Sequence, residues 1–241
     1  SRVYKGCIVM EYIIVSIVLV VIAIAIKFAL NIKIKDIKKL KELAFNKEKN
    51  IIIDKLPENE EIAKEILKGF NNNHTKVKKS ENPKDTTSIY VVLTDSIIIA
   101  NIKNTFTRVQ TIAHECIHSM QDKVTLWFNF IYTNLYNLLL VVLIVLKLFN
   151  IIDNMLGLLL LMLAGFIYYV VRAYLENDAM LKAKHVAKEY MKKSNLLTNK
   201  EIEEITAGYD DINTIGVKMY LYRLLLEVLV RTLIFSVICI F

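Results

Sequence analysis

The sequence predicts a mainly α-helical integral membrane protein with about four transmembrane helices. Hydrophobic residues make up 55% of 241 residues and the mean hydropathy is +0.41, too apolar for an ordinary water-soluble domain. Six glycines and two prolines leave little turn chemistry, so helices rather than a turn-rich sheet protein are expected. Apolar runs of about 20 residues, the length that crosses a hydrocarbon core, recur four times.

The first run, Cys7 to Leu30, is almost entirely Ile, Val, Leu and Ala after Glu11 and Tyr12. It has no small-residue cleavage pattern and reads as a retained anchor, residues 1–30. The second and third, Val124 to Phe149 and Ile151 to Val171, are parted by a short link around Asn150, Asp153 and Asn154. They make a helical hairpin, 124–171, whose two ends share one side of the membrane. The fourth, 217–241, carries Glu227 and Arg231 at i, i+4, a spacing at which opposite charges pair.

Lys27, Lys33, Lys35, Lys38, Lys39 and Lys41 follow the first span, and Arg172, Lys182, Lys184 and Lys188 follow the third. This bias places 31–123 and 172–216 on the cytoplasmic face of a multi-pass cell-membrane protein. The formal charge is +7, yet the lysines sit beside apolar segments rather than among stacking aromatics. The expected partner is the lipid bilayer, not nucleic acid. Cys7, Cys116 and Cys239 are too few and too scattered for a disulfide framework or a Cys-rich metal site.

Within 31–123, Asn59 to Phe70 has apolar residues at 62, 63, 66, 67 and 70, a helical spacing. A polar loop follows, then Ile89 to Leu93 and Ile97 to Ala100 read as a small β-hairpin around Thr94-Asp95-Ser96. Thr105 is placed to cap the next helix, which runs to Asp122 and contains His114-Glu115-Cys116-Ile117-His118. Glu176 to Ser194 continues as a helix out of the third span, and Asn199 starts another with Glu201, Glu203 and Glu204 near its beginning.

Residues four apart on a helix differ by about 40° in azimuth and about 6 Å along the axis, so the imidazoles of His114 and His118 can converge on one cation. Glu115, on the adjacent position, can reach a water on that cation and act as general base. Chance produces such an H-E-x-x-H pattern in roughly four of every thousand chains of this composition. Two histidines do not hold a catalytic zinc, so a third ligand is required. Glu176, Asp178 and His185 are the candidates on the same face. Glu176 is favoured by ligand type and by lying just past the third span, Asp178 reads as an exposed or supporting acid, and His185 as an exposed helix residue.

Ala113-His-Glu-Cys-Ile-His118, a membrane hairpin, and Glu176-Asn-Asp-Ala-Met-Leu-Lys-Ala183 together resemble the YugP-like neutral zinc metallopeptidases of bacterial membranes, of the zinc peptidase 2 type. The resemblance covers nearly the whole chain and extends more distantly to HtpX and the CAAX prenyl proteases. It implies a cytoplasmic gluzincin-like zinc-peptidase core, Zn2+ held by His114, His118 and Glu176, Glu115 as general base, and a peptide or membrane-protein substrate. Ile117 stands where the family has a small glycine and Met180 where it has a serine. These departures keep open an alternative, a catalytically inactive scaffold or immunity component of the same fold.

A site-two type intramembrane protease is set aside, because Arg108, Gln110, Gln121, Asp122 and Lys123 flank the motif and no Leu-Asp-Gly follows. The strands before the motif helix offer an edge to which an extended peptide could add, and proline at Ile98 or Ile99 is expected to impair cleavage while leaving zinc bound.

Overall fold

The computed structural model describes residues 2–82, 85, 87–101 and 105–240, and the side chains of all these except 2–9 and 34. The side chain of Cys7 is therefore outside the described residues. The chain is mostly helical with one small sheet: α1 (Arg2–Ala29), α2 (Ile34–Ala44), α3 (Lys47–Ile53), α4 (Asn59–Gly69), β1 (Lys76–Lys79), β2 (Ile89–Val91), β3 (Ser96–Ile99), α5 (Arg108–Met120), α6 (Lys123–Leu148), α7 (Asn154–Ser194) and α8 (Asn199–Ile240). It divides into two compact units. One comprises Ser1–Ile32, Trp127–Tyr174 and Lys218–Phe241, the other Lys33–Leu126 and Leu175–Val217.

Among the described residues, three helices are long and apolar enough to cross a membrane: α1 over Met10–Ala29, α6, and α7. The fourth expected span, 217–241, falls in α8 and is not among these three; its run carries Lys218, Arg223, Glu227 and Arg231. Within the first unit Tyr136, Leu143, Leu161, Tyr168 and Phe235 form a buried centre, while Phe28, Leu135, Val141, Leu163 and Phe166 face outward. A water-soluble surface does not carry so many exposed large apolar side chains, and hydrocarbon is their natural solvent. Gly165 lets the helices approach closely, since a Cβ there would lie 2.4 Å from Val228 and 2.6 Å from the Tyr136 hydroxyl.

The polar groups of α8 are arranged differently from the expected Glu227 and Arg231 pair. Glu227 accepts from Arg223 Nε at 3.3 Å and from the Tyr168 hydroxyl at 2.9 Å. Arg231 instead lies over the rings of Tyr136 and Tyr168, 4.6 and 5.4 Å from their centroids. Both i, i−4 and i, i+4 partners were available to Glu227 on one stripe, and the stacked tyrosines attract the second guanidinium.

In the second unit, the sheet order is β1-β3-β2, with β3 parallel to β1 and antiparallel to β2. The expected hairpin is thus β2 and β3, turned at Asp95, whose φ of 43° is left-handed. β1, Lys-Val-Lys-Lys, falls in the stretch read from sequence as a polar loop; three of its four side chains are exposed and only its pairing with β3 makes it a strand. Against this sheet and α4 packs α5, through Val109, Ile112, Ala113, Cys116 and Ile117, all buried. α5 begins three residues after Thr105, whose hydroxyl donates to the Ala44 carbonyl at 2.9 Å and accepts the Thr107 N–H at 3.4 Å, while the capping position itself falls to Thr107.

Arg108 opens α5 and is 5% exposed. Its guanidinium donates to the carbonyls of Ile53, Leu56 and Pro57, each at 2.9 Å, and to Asn59 Oδ1 at 2.8 Å. It ties the start of the motif helix to the turn between α3 and α4. At its start α8 carries a capping box: Glu201 Oε2 accepts from the Thr198 N–H at 2.8 Å, and the Glu201 N–H donates back to Thr198 Oγ1 at 3.3 Å. Helix ends use asparagine in place of glycine. Asn31, Asn71 and Asn150 all take positive φ, and the following residue bonds back five positions, as from the Ile151 N–H to the Leu146 carbonyl at 2.9 Å.

Candidate metal centre

The apolar face of α5 is fixed in the core, so its next face is fixed too. His114 and His118, one turn apart, leave that face together, and their Nε2 atoms stand 3.0 Å apart. From α7, Glu176 Oε2 approaches His114 Nε2 at 3.3 Å and His118 Nε2 at 3.7 Å. Ligand atoms about 2.0–2.1 Å from a tetrahedral centre lie about 3.3–3.4 Å from one another. The three observed separations bracket that edge, and the group could hold a metal ion.

The three side chains are 19%, 12% and 15% exposed, which excludes most bulk water while leaving the group reachable. Burial alone would raise the Glu176 carboxyl, but the hydrogen bonds and charge of His114 and His118 outweigh it and hold the group well below the usual carboxylate range. Burial alone would lower His118, and the Glu176 carboxylate reverses this, pushing it up. A carboxylate that stays ionised between two imidazoles is the donor set a divalent cation takes.

Glu115 lies between the histidines in sequence but is turned towards the sheet. It is 8% exposed, and its Oε2 accepts the Tyr90 main-chain N–H at 2.7 Å. Burial pushes its carboxyl up, against the pull of the two imidazoles and of that N–H. The Tyr90 hydroxyl in turn donates to Asp95 at 2.8 Å and accepts from Lys123 Nζ at 2.7 Å. Tyr90, the strand residue next to the candidate base, is thus held at its main-chain N–H and at its hydroxyl.

The other sequence candidates separate clearly. Asp178 pairs with Lys182 at 2.6 Å and accepts from Gln121 at 3.1 Å, so it reaches the group only through another side chain. His185 is exposed and stands outside the group. Ile117 is 4% exposed and belongs to the core, so its bulk is spent in packing; Met180 is half-buried. Sequence reasoning passed over Tyr90 and Gln121. Gln121 sits three residues after His118, a helical-neighbour spacing that could have marked it as a partner of the imidazole.

Comparison with family models, with curated proteins and with solved structures gives no match. The function is read from the residues themselves.

Proposed function

We propose that this chain is a membrane-embedded zinc metalloendopeptidase, akin to the YugP-like neutral zinc metallopeptidases, with a gluzincin-like core on the cytoplasmic face. The observation that carries the reading is the convergence of His114 Nε2, His118 Nε2 and Glu176 Oε2 at the edge lengths of a tetrahedral zinc site. Two neutral imidazoles and a carboxylate suit zinc better than an all-oxygen cation such as calcium. When bound, zinc supplies a Lewis acid that acidifies a water and polarises a scissile carbonyl.

Glu115 takes the proton of the attacking water on Oε1, the oxygen that Tyr90 does not engage, and later passes it to the leaving amine. Its raised affinity for a proton suits that exchange. In this reading the second half of α8 completes four spans, and a peptide or a loop of a membrane protein is the substrate. An extended substrate meets the edge strand β2, not β3, which is paired on both sides. Because N–H and C=O of one residue point the same way from a strand, Tyr90 offers its carbonyl there.

The test is zinc per chain, measured on purified protein in detergent micelles, together with casein cleavage. About one zinc per chain and cleavage that stops on chelation are expected. Protein without stoichiometric zinc, and indifferent to chelator, would end the proposal. A second reading, an inactive scaffold or immunity component, is favoured by the burial of Glu115 against Tyr90; zinc retention without cleavage would select it.

A further inference from the structure

We infer that Gln121 is a positioning residue that fixes the tautomer of His118 and joins the two helices that carry the metal-binding group, an inference that rests on the metallopeptidase reading for its purpose but not for its geometry. Gln121 caps the C-terminus of α5 with an extended backbone, φ −67° and ψ 161°, and its side chain turns back along the helix. Oε1 stands 2.8 Å from His118 Nδ1. Nε2 donates to the Leu175 carbonyl at 2.7 Å and to Asp178 Oδ2 at 3.1 Å, both on α7 and on either side of Glu176.

The orientation of this amide follows from its partners. A main-chain carbonyl and an ionised carboxylate only accept hydrogen bonds, so the NH2 end must face α7. Oε1 is then the atom left for His118, and it only accepts. His118 Nδ1 must therefore carry a proton, and in the neutral imidazole Nε2 is then the atom that presents a lone pair towards His114 and Glu176. Leu175 and Asp178 thus decide, through one amide, which nitrogen of His118 is available as a ligand. The same amide sets the register of α5 against α7 next to Glu176, so one side chain governs the placement of two of the three ligands.

Two readouts test this on the full chain in micelles. In metal-free protein labelled with 15N-histidine, long-range 1H–15N spectra should show neutral His118 as the Nδ1–H tautomer. Gln121→Leu should move it to the Nε2–H tautomer with unchanged helical circular dichroism, and Gln121→Glu, which still accepts from Nδ1–H, should restore the wild-type signal. Zinc affinity, measured by competition with a chromophoric chelator, should fall about 10–100-fold in Gln121→Leu. A wild-type Nε2–H tautomer, or Gln121→Leu with the wild-type tautomer and zinc affinity, overturns the inference. If wild-type protein binds no zinc, the metallopeptidase reading fails by itself, and the tautomer spectra alone decide the role of Gln121.

Discussion

The Tyr90 main-chain N–H and Glu115 Oε2 are joined by a 2.7 Å hydrogen bond between the edge strand β2 and the motif helix α5. The bond orients a buried carboxylate from outside its own helix. A charge-assisted bond of this kind is worth about 1.5–3 kcal/mol, or about 10–100-fold in a rate that depends on it. Tyr90→Pro removes the donor and should lower peptide cleavage by that factor with zinc still bound. Tyr90→Phe keeps the N–H and should retain most of the cleavage. Equal rates for the two variants would show that the strand does not orient the base.

Glu115→Gln should bind zinc at the wild-type stoichiometry and lose about 10²–10⁴-fold in cleavage, the usual contribution of a general base. Glu176→Ala should lose much of both, since it removes a ligand. Zinc at 100 times its dissociation constant stabilises a folded protein by about 2.7 kcal/mol. A melting curve with and without zinc should therefore separate in wild type and Glu115→Gln, and coincide in Glu176→Ala.

Arg108→Met keeps the unbranched apolar stem and removes the guanidinium with its four donated hydrogen bonds. Three main-chain carbonyls and an amide oxygen then lose a buried donor, at a cost of about 3 kcal/mol or more. Chemical denaturation of the protein should show a lower midpoint, equivalent to a loss of unfolding free energy of that size, whether or not zinc is present.

The capping box of α8 predicts an acid dependence. Lys55, bonded to one oxygen of Glu201, and the Thr198 N–H and hydroxyl, bonded to the other, hold that carboxyl down to about 2. Unfolded glutamate titrates at about 4.3. A lowered folded value contributes stability that is complete above the unfolded value and fades as pH falls towards the folded one. The melting temperatures of wild type and Glu201→Gln should differ at pH 6 and converge between about pH 4 and pH 2.

Much of the helical frame was legible because membrane helices advertise themselves by length and apolarity, as in α1, α6 and α7. The group of His114, His118 and Glu176 was legible too, because i, i+4 spacing on one helix and a hairpin that returns its second helix leave few other arrangements. Three features were not. β1 looks like a lysine-rich loop until β3 pairs with it. Arg108 looks like a solvent-exposed flank of the motif, since its partners are carbonyls 51 to 55 positions upstream. Glu227 had two arginines at equal spacing, and only the stacked tyrosines of other helices decide between them.

The left-handed turns are places where thermal stability can be sought without touching the core. Asn31, Asn71, Asp95, Asn150 and Asn195 all hold φ between 43° and 57°, and among the described residues no glycine holds a positive φ. An L side chain in that region is strained by about 1–2 kcal/mol, less for Asn, while glycine takes it freely but loses about 0.5–1 kcal/mol of chain entropy. Asn→Gly at 31, 71, 150 and 195 sets these two terms against each other, so each change should move the melting temperature by no more than a small increment, upward where the relieved strain exceeds the lost entropy. Because none of these positions lies in the histidine and glutamate group, a variant hardened there can be carried through detergent extraction with that group untouched.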